Sequence, residues 1–295
     1  MNMSDQPGLR LDEPMSRHVS WRAGGRARRF YQPADVADLC SFMRTLAPGE
    51  PILFVGLGSN LLVRDGGFNG TVLFTHHALT GIDVQGSTVV AGAGVPAPHL
   101  ARFVAKHGGC GAEFLAGIPG TIGGALAMNA GCYGGETWNH VVTVQTIDRR
   151  GELHDRPPAD YEIGYRHVRL QAGTDEWFVS GRFRFEAGDS AASMARIREL
   201  LAMRVASQPL NQPNAGSVFR NPPGEYAARL VQACGLKGFR IGGAQVSTKH
   251  ANFIVNVNGA TARDIEGVID HVEATVREKT GVALVREVRI VGDAA

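Results

Sequence analysis

The chain has 295 residues, 44% hydrophobic and 20% charged, with a net charge of +2. That length suffices for two domains and a sizeable core, and the balance leaves no electrostatic footprint for nucleic acid or an anionic membrane. Cys40, Cys110, Cys132 and Cys234 show neither a C-x-x-C pair nor a zinc spacing and read as reduced cytosolic thiols, so no metal is expected.

Residues 1 to about 17 are polar, contain proline and are expected to fray. They lack the apolar core of a signal peptide, and no run approaches the ~18 apolar residues of a membrane helix. Near Trp21–Gly25 a strand is expected to meet a Gly-Gly turn, and Arg22, Arg26, Arg28 and Arg29 read as a solvated edge. Pro33 opens a helix with Val36, Leu39, Cys40 and Met43 at helical spacing. Residues 51–63, PILFVGLGSNLLV, read as strand, glycine turn, strand. The turn is not a dinucleotide fingerprint, because the third glycine would fall at Leu61 and no helical pattern follows. It does offer backbone N–H groups, the Ser59 hydroxyl and the Asn60 amide as donors to phosphate.

Short strands follow near 71–74 and 88–91. Pro96 then starts a helix with Leu100, Phe103 and Val104 on one face, stopped by Gly108-Gly109. Next comes Gly117–Gly135, GIPGTIGGALAMNAGCYGG, with seven glycines in nineteen residues and charge only at Glu136, just past its end. It is too apolar for a linker. It is a poor helix or strand, since each Gly costs about 1 kcal/mol against Ala in a helix interior. Glycine allows backbone N–H groups to approach a large anion, so the segment reads as the wrap around a phosphate-bearing cofactor. The plainer alternative is a buried, turn-rich crossing between strands.

Residues 141–147 and 177–185 read as strands, and composition shifts at 186–190, a domain boundary. Met194, Ile197, Leu200, Leu201 and Val205 make an amphipathic helix. A breaker-rich loop at 208–213 precedes a helix near 225–234 and a strand at 251–257. Thr261 with Asp264 resembles a capping box opening a long helix through Ile265, Val268, Ile269, Val272 and Val276 to Gly281. A last strand, 282–290, puts Leu284, Val288 and Ile290 on one face and Val285, Glu287 and Arg289 on the other. Without regular β-α-β units, this is mixed α and β rather than a doubly wound parallel sheet.

Phosphate-loop, zinc-protease and nucleophile-elbow motifs are absent from the sequence. Three polar residues sit where polarity is costly or oddly placed: Arg166 in IGYRHV, Ser217 in AGSVFRNP and Glu287 in VREVRI. Singly they read as a surface arginine, a turn or cap serine and an exposed strand glutamate. Their combination changes that. G-x-G-S-N, G-I-P-G-T-I-G-G-A…M-N-A-G-x-Y-G, Y-R, A-G-S-V-F-R-N-P, L-K-G-x-R-I-G-G-A-Q-V-S-x-K-H-A-N-F-I-V-N and E-V-R-I, in this order from about Trp21 to Ile290, resemble the UDP-N-acetylenolpyruvoylglucosamine reductases (UDP-N-acetylmuramate dehydrogenases). The match is to their shorter subclass, which lacks a substrate-capping insertion.

The resemblance implies an α+β fold: a two-lobed FAD-binding domain of the vanillyl-alcohol-oxidase (PCMH) type over 20–188 (lobes about 20–78 and 79–188), after an N-terminal segment 1–19, and a C-terminal α+β substrate domain over 189–295. It implies an FAD enzyme reducing UDP-N-acetylenolpyruvoylglucosamine to UDP-N-acetylmuramate for peptidoglycan, a cytoplasmic monomer partnered by no nucleic acid or membrane. In the family NADPH gives a hydride to flavin N5, which passes to the enolpyruvyl methylene carbon and leaves an enolate. By position, Arg166 stabilises the enolate, Ser217 protonates it, and Glu287 lies at the same carboxylate end, protonated or arginine-paired. The FAD residues would be Gly56, Gly58, Ser59, Asn60, Leu61, Ile118, Pro119, Thr121, Ile122, Gly124, Asn129 and Gly131. The substrate residues would be Tyr165, Asn221, Lys237, Lys249, Asn252 and Arg289. The sequence departs from the family pattern at Val168, Ser207 and Arg26, where relatives often carry Ser, Lys and Pro. Two alternatives stay open: a flavin oxidase of the same fold acting on a sugar or alcohol, and a nucleotide-binding protein without catalysis. Oxidases of this fold often anchor flavin through a histidine by the glycine turn. Gly58-Ser59-Asn60 has none, which points to non-covalent FAD.

Overall fold

In the computed structural model of the chain, residues 7–295 are described. In chain order the first elements are β1 (Leu9–Pro14), β2 (Arg26–Tyr31), α1 (Val36–Met43), β3 (Ile52–Val55), β4 (Leu61–Val63), β5 (Phe68–Phe74), β6 (Ile82–Gln85), β7 (Thr88–Gly92) and α2 (Ala97–Lys106). The middle holds β8 (Gly109–Cys110), α3 (Ile122–Ala127), β9 (Gly131–Cys132), β10 (Gly135–Glu136), β11 (Val141–Asp148), β12 (Leu153–Arg156), β13 (Tyr161–Gly164), β14 (His167–Leu170), β15 (Glu176–Phe183) and β16 (Glu186–Ala187). The last third holds α4 (Ser190–Ser207), α5 (Ala227–Ala233), β17 (Arg240–Ile241), β18 (Ala244–Val246), β19 (Ile254–Asn256), α6 (Ala262–Thr280) and β20 (Arg289–Val291). Strands β1, β2, β5 and β3 form one sheet in the order β1-β2-β5-β3. No described helix is long and apolar enough to cross a membrane.

The chain divides into two compact units that interleave in sequence. Unit one takes residues 7–10, 30–57 and 72–204; unit two takes 11–29, 58–71 and 205–295. The unit changes between Arg204 and Val205, inside α4, rather than at the compositional shift near 188. The reason is packing: Ile197, on α4, belongs to a core cluster with α2, α3 and β15 residues of unit one.

Unit one is built on a five-stranded sheet ordered β12-β11-β15-β7-β6. All four of its pairings are antiparallel, and it has register shifts between β11 and β15. Leu100, Ala101, Val104 and Ala105 of α2, with Ile122, Ala125 and Leu126 of α3, bury the helix faces of its core. The glycine segment is not a continuous wrap. Glu113–Gly117 is a 3-10 turn, α3 follows, and β9 pairs with β10 in a short hairpin. Tertiary packing has here overridden the low helix propensity of Gly123 and Gly124. The hairpin β13–β14, with Tyr165 and Arg166 as its two turn residues, was not legible as strands.

Unit two wraps around α6. Thr261 and Asp264 form the expected capping box, and Gly281 closes the helix in the left-handed region at φ 74°. Ile265, Val268, Ile269, Val272 and Val276 are all buried on one face, each contributing about 1.5–3 kcal/mol by burial. They meet Val231 of α5, the antiparallel sheet β17-β18-β19, and Trp21, whose indole N–H donates to the Ile254 carbonyl at 2.7 Å.

Four local expectations need correction. Residues 9–17 do not fray: β1 joins a sheet, and Met15 is fully buried while its N–H donates to the Gly25 carbonyl. No strand runs through Trp21–Gly25, where the buried indole replaces sheet pairing as the anchor. The strand expected over 282–290 shrinks to Arg289–Val291, because its partner β4 is only three residues long and parallel to it; upstream there is a single bridge, Phe219 to Arg286. Val205, assigned to an apolar helix face, is 61% exposed because α4 buries only its earlier turns.

Candidate active site

Gly56, at the head of the glycine turn, and the start of α3 meet inside unit one. A Cβ built on Gly56 would lie 2.1 Å from Thr121 Oγ1 and 2.9 Å from its Cγ2. Thr121 is 1% exposed, and its hydroxyl has no hydrogen-bond partner among the described residues. It does not cap α3. A buried unpaired hydroxyl costs about 1–3 kcal/mol, and such a group calls for a partner from outside the chain. Gly124 is exposed, and a Cβ there would meet only Thr121 Oγ1, at 3.9 Å. A donor hydroxyl lined by two glycines suits a phosphate oxygen, so these residues fit the pyrophosphate end of FAD.

Other members of the expected FAD set have local roles. The N–H groups of Ile122 and Gly123 are taken up by the carbonyls of Val95 and Ala93 at 2.8 Å each. Ile118 is buried in the core of unit one, while Pro119 is exposed. Gly58, in unit two, adopts φ 58° with its Cβ position 2.2 Å from the His18 carbonyl, so chain packing alone explains that glycine. Asn129 is 2% exposed at φ 45°. Its Nδ2 donates to Glu136 Oε2 (2.8 Å) and the Gly164 carbonyl (3.2 Å), and its Oδ1 accepts from the Trp138 N–H (3.1 Å). Gly131 is pinned by neighbours: a Cβ there would lie 2.6 Å from the Gly135 carbonyl oxygen and 3.3 Å from Arg166 Nη1.

Arg166 sits at φ 54° on the β13–β14 turn. Its Nη2 donates to the Gly131 carbonyl at 2.8 Å, and its guanidinium carbon lies 4.9 Å from the centroid of the exposed Tyr165 ring. Burial pushes the thiol of Cys132 up, against the opposing pull of Arg204 and Arg166, so this cysteine is a poor nucleophile.

Unit two brings Ser217 and Glu287 to adjoining backbone. The carbonyl of Val218 accepts from the N–H groups of Glu287 (2.8 Å) and Val288 (3.4 Å). Gly216, at φ 75°, turns the chain into half-buried Ser217 and donates to Asn214 Oδ1 at 2.9 Å. Asn252 clamps the segment: its Oδ1 accepts from the Phe219 N–H (3.0 Å) and its Nδ2 donates to the Phe219 carbonyl (2.8 Å). Asn60 Nδ2 donates to the Glu287 carbonyl at 3.1 Å, and the buried strand residue Leu61 pairs with exposed Arg289. Ser59 is half-buried in the same turn.

The remaining expected substrate residues make contacts of their own. Asn221 Oδ1 accepts from Ala227 N at the start of α5, 3.1 Å away. Lys237 is exposed, with Nζ 3.4 Å from Gln232 Oε1, and Lys249 Nζ donates to the Val205 carbonyl at 2.6 Å. Two residues with evident roles escaped sequence reading. Glu136 receives Asn129, and its only signal was a lone charge beside the glycine segment. His250 Nδ1 accepts from Asn252 N at 3.3 Å, and nothing in the sequence set it apart from nine other histidines.

Residues 27–156 match the family model of an FAD binding domain, and 208–291 match that of the C-terminal domain of UDP-N-acetylenolpyruvoylglucosamine reductase. A UDP-N-acetylenolpyruvoylglucosamine reductase from Thiobacillus denitrificans is 60% identical, over 96% of this chain and 91% of the relative. One from Methylococcus capsulatus is 56% identical, over 96% and 92%. The crystal structure of the corresponding enzyme from Thermus caldophilus superposes with a TM-score of 0.82 at 31% identity, covering 96% of this chain and 99% of that one.

Proposed function

The chain belongs to the UDP-N-acetylenolpyruvoylglucosamine reductase family, and on that premise we propose how its own residues divide the work. It is an FAD-dependent oxidoreductase of α+β fold that reduces UDP-N-acetylenolpyruvoylglucosamine in peptidoglycan synthesis. The chemistry that FAD supplies when bound is hydride carriage, from NADPH to the enolpyruvyl methylene carbon. The Thr121 hydroxyl, with Gly56 and Gly124 beside it, holds the pyrophosphate end non-covalently.

Addition of hydride to the methylene carbon leaves negative charge on the adjacent carbon and its carboxylate. A permanently charged guanidinium is the group suited to that charge, and Arg166 takes this role. The α-carbon then needs a proton, and Ser217 Oγ donates it. A serine hydroxyl is a weak acid, so placement and the basicity of the carbanion must carry the step. Glu287 stands at the carboxylate end, where it helps only if protonated or arginine-paired. Tyr165, Asn221, Lys237, Lys249 and Arg289 orient the rest of the substrate. The reading includes a cytoplasmic monomer without nucleic-acid or membrane partners.

The single observation that supports this division most strongly is the Val218 carbonyl bound to the Glu287 N–H, which puts the proton donor's backbone next to that of the carboxylate residue. The test is anaerobic. Protein reduced with one equivalent of NADPH is mixed with enolpyruvyl-UDP-GlcNAc and followed at the flavin absorbance. Rapid reoxidation in wild type, slowed at least ~100-fold in Ser217→Ala, is the expected result. Reoxidation by oxygen but not by this substrate would sink the reading.

A further inference from the structure

Arg166 has an awkward task. A non-glycine residue in the left-handed region is held at a cost of about 1–2 kcal/mol, and a long side chain on a two-residue hairpin turn has many rotamers to lose. Something must hold both its backbone and its guanidinium.

The residues that do so lie in one short stretch of the glycine segment. Arg166 Nη2 and Nη1 donate to the carbonyls of Gly131 (2.8 Å) and Asn129 (3.4 Å). Asn129 in turn reaches back to the hairpin, donating Nδ2 to the Gly164 carbonyl at 3.2 Å, two residues before Arg166. The arginine's head and the base of its turn are thus fastened to the same residue. The Asn129 amide is fixed in orientation because Oδ1 accepts from a backbone N–H, that of Trp138, which leaves Nδ2 to face Glu136 Oε2 (2.8 Å). Both amide hydrogens are thereby used inside the chain, so the side chain is not available as a donor to a cofactor. Gly131 completes the arrangement, since a Cβ there would press on Arg166 Nη1.

We propose that Asn129, oriented by Glu136, is a positioning residue for Arg166 rather than a ligand of FAD. The inference rests on the reading of Arg166 as the group that meets the enolate. It makes the N-A-G-x-Y-G-G-E part of the glycine segment a receptor for the hairpin, while G-T-I-G-G serves the cofactor.

The experiment compares Asn129→Ala, Arg166→Ala and the double variant in the two half-reactions, with FAD content and amide hydrogen exchange measured alongside. Asn129→Ala is expected to keep FAD stoichiometric and NADPH reduction within about twofold of wild type, while reoxidation by enolpyruvyl-UDP-GlcNAc slows by about 10- to 100-fold. Amides of 164–167 are expected to exchange faster. The double variant is expected to reoxidise no more slowly than Arg166→Ala, because two residues acting as one unit are not additive. A double variant slower by the full Asn129→Ala factor, or an Asn129→Ala protein that loses FAD and both half-reactions together, would overturn the proposal. Should Asn129→Ala not fold, Glu136→Ala is read by the same criteria. Arg166→Ala reoxidising at the wild-type rate would instead overturn the reading beneath it.

Discussion

The side-chain amide of Asn60 donates to the backbone carbonyl of Glu287 at 3.1 Å, fastening the glycine turn to the E-V-R-I segment across 227 positions of sequence. The fastening is reciprocal, since the Arg289 N–H donates to the Asn60 carbonyl at 3.0 Å. Asn60 is therefore placed to set where Glu287 leaves the backbone. Asn60→Ala removes the hydrogen bond to Glu287, worth about 1 kcal/mol, and should lower the unfolding temperature by a few degrees. Differential scanning calorimetry checks the first effect, and an unchanged Tm would refute it. Reoxidation by substrate should slow more than reduction by NADPH; equal slowing would mean that the bond serves the fold alone.

Thr121 gives a prediction with two opposite signs. Its hydroxyl is buried and unpaired among the described residues, so Thr121→Val should leave the apoprotein as stable as wild type, or more so. If that hydroxyl serves the FAD pyrophosphate, the same variant should bind FAD about 5- to 10-fold more weakly, for the loss of roughly 1 kcal/mol. Gly56→Ala should weaken FAD further, because its Cβ would fall 2.1 Å from Thr121 Oγ1. Titration of apoprotein with FAD, beside apoprotein melting curves, separates the two effects. Full FAD affinity in Thr121→Val would remove this hydroxyl from the cofactor site.

What the sequence could and could not reveal follows from what each signal encodes. The α6 helix was readable to the residue, because its cap, stripe and stop are local signals: Thr261 with Asp264, five apolar residues at helical spacing, and Gly281. The family motifs likewise pointed to Ser217 and Glu287, which unit two joins through the Val218 carbonyl. The β13–β14 hairpin was hidden because Glu162, His167 and Arg169 put polar side chains on strands too short to show a period. The two glycines of the first turn looked alike in composition, yet only the structure separates them: Gly56 faces an orphan hydroxyl, while Gly58 is required by the His18 carbonyl. The interleaving of 11–29 and 58–71 with the C-terminal unit is a long-range matter that no local pattern carries.

Trp21 tests that interleaving. It is fully buried in the core of unit two and donates to the Ile254 carbonyl at 2.7 Å. Trp21→Ala should destabilise the protein by about 3–5 kcal/mol through the cavity and the lost partner. Trp21→Phe, which keeps most of the volume but strands the Ile254 carbonyl, should cost about 1–3 kcal/mol. Urea unfolding followed by circular dichroism reads both. A loss below ~1 kcal/mol in Trp21→Ala would show that the N-terminal segment is not integral to unit two.

His250 predicts how this half of the molecule responds to acid. Burial, and then repulsion from Lys237, lower its pKa from the ordinary 6.5. Its Nδ1 must be unprotonated to accept the Asn252 N–H at 3.3 Å, and Asn252 clamps Phe219, two residues from Ser217. Because the folded form binds this proton less tightly than the unfolded chain does, the contribution to stability is full above pH 6.5. It is lost as pH falls from there through the lower folded value. The unfolding temperature should therefore drop as pH falls below 6.5, beyond what the carboxylates alone produce. His250→Asn offers an oxygen near the place of Nδ1 without titrating, so its Tm should vary less with pH over that window. Reoxidation by substrate should lose part of its acid limb in the same variant. Equal pH slopes in the two proteins would place the acid sensitivity elsewhere.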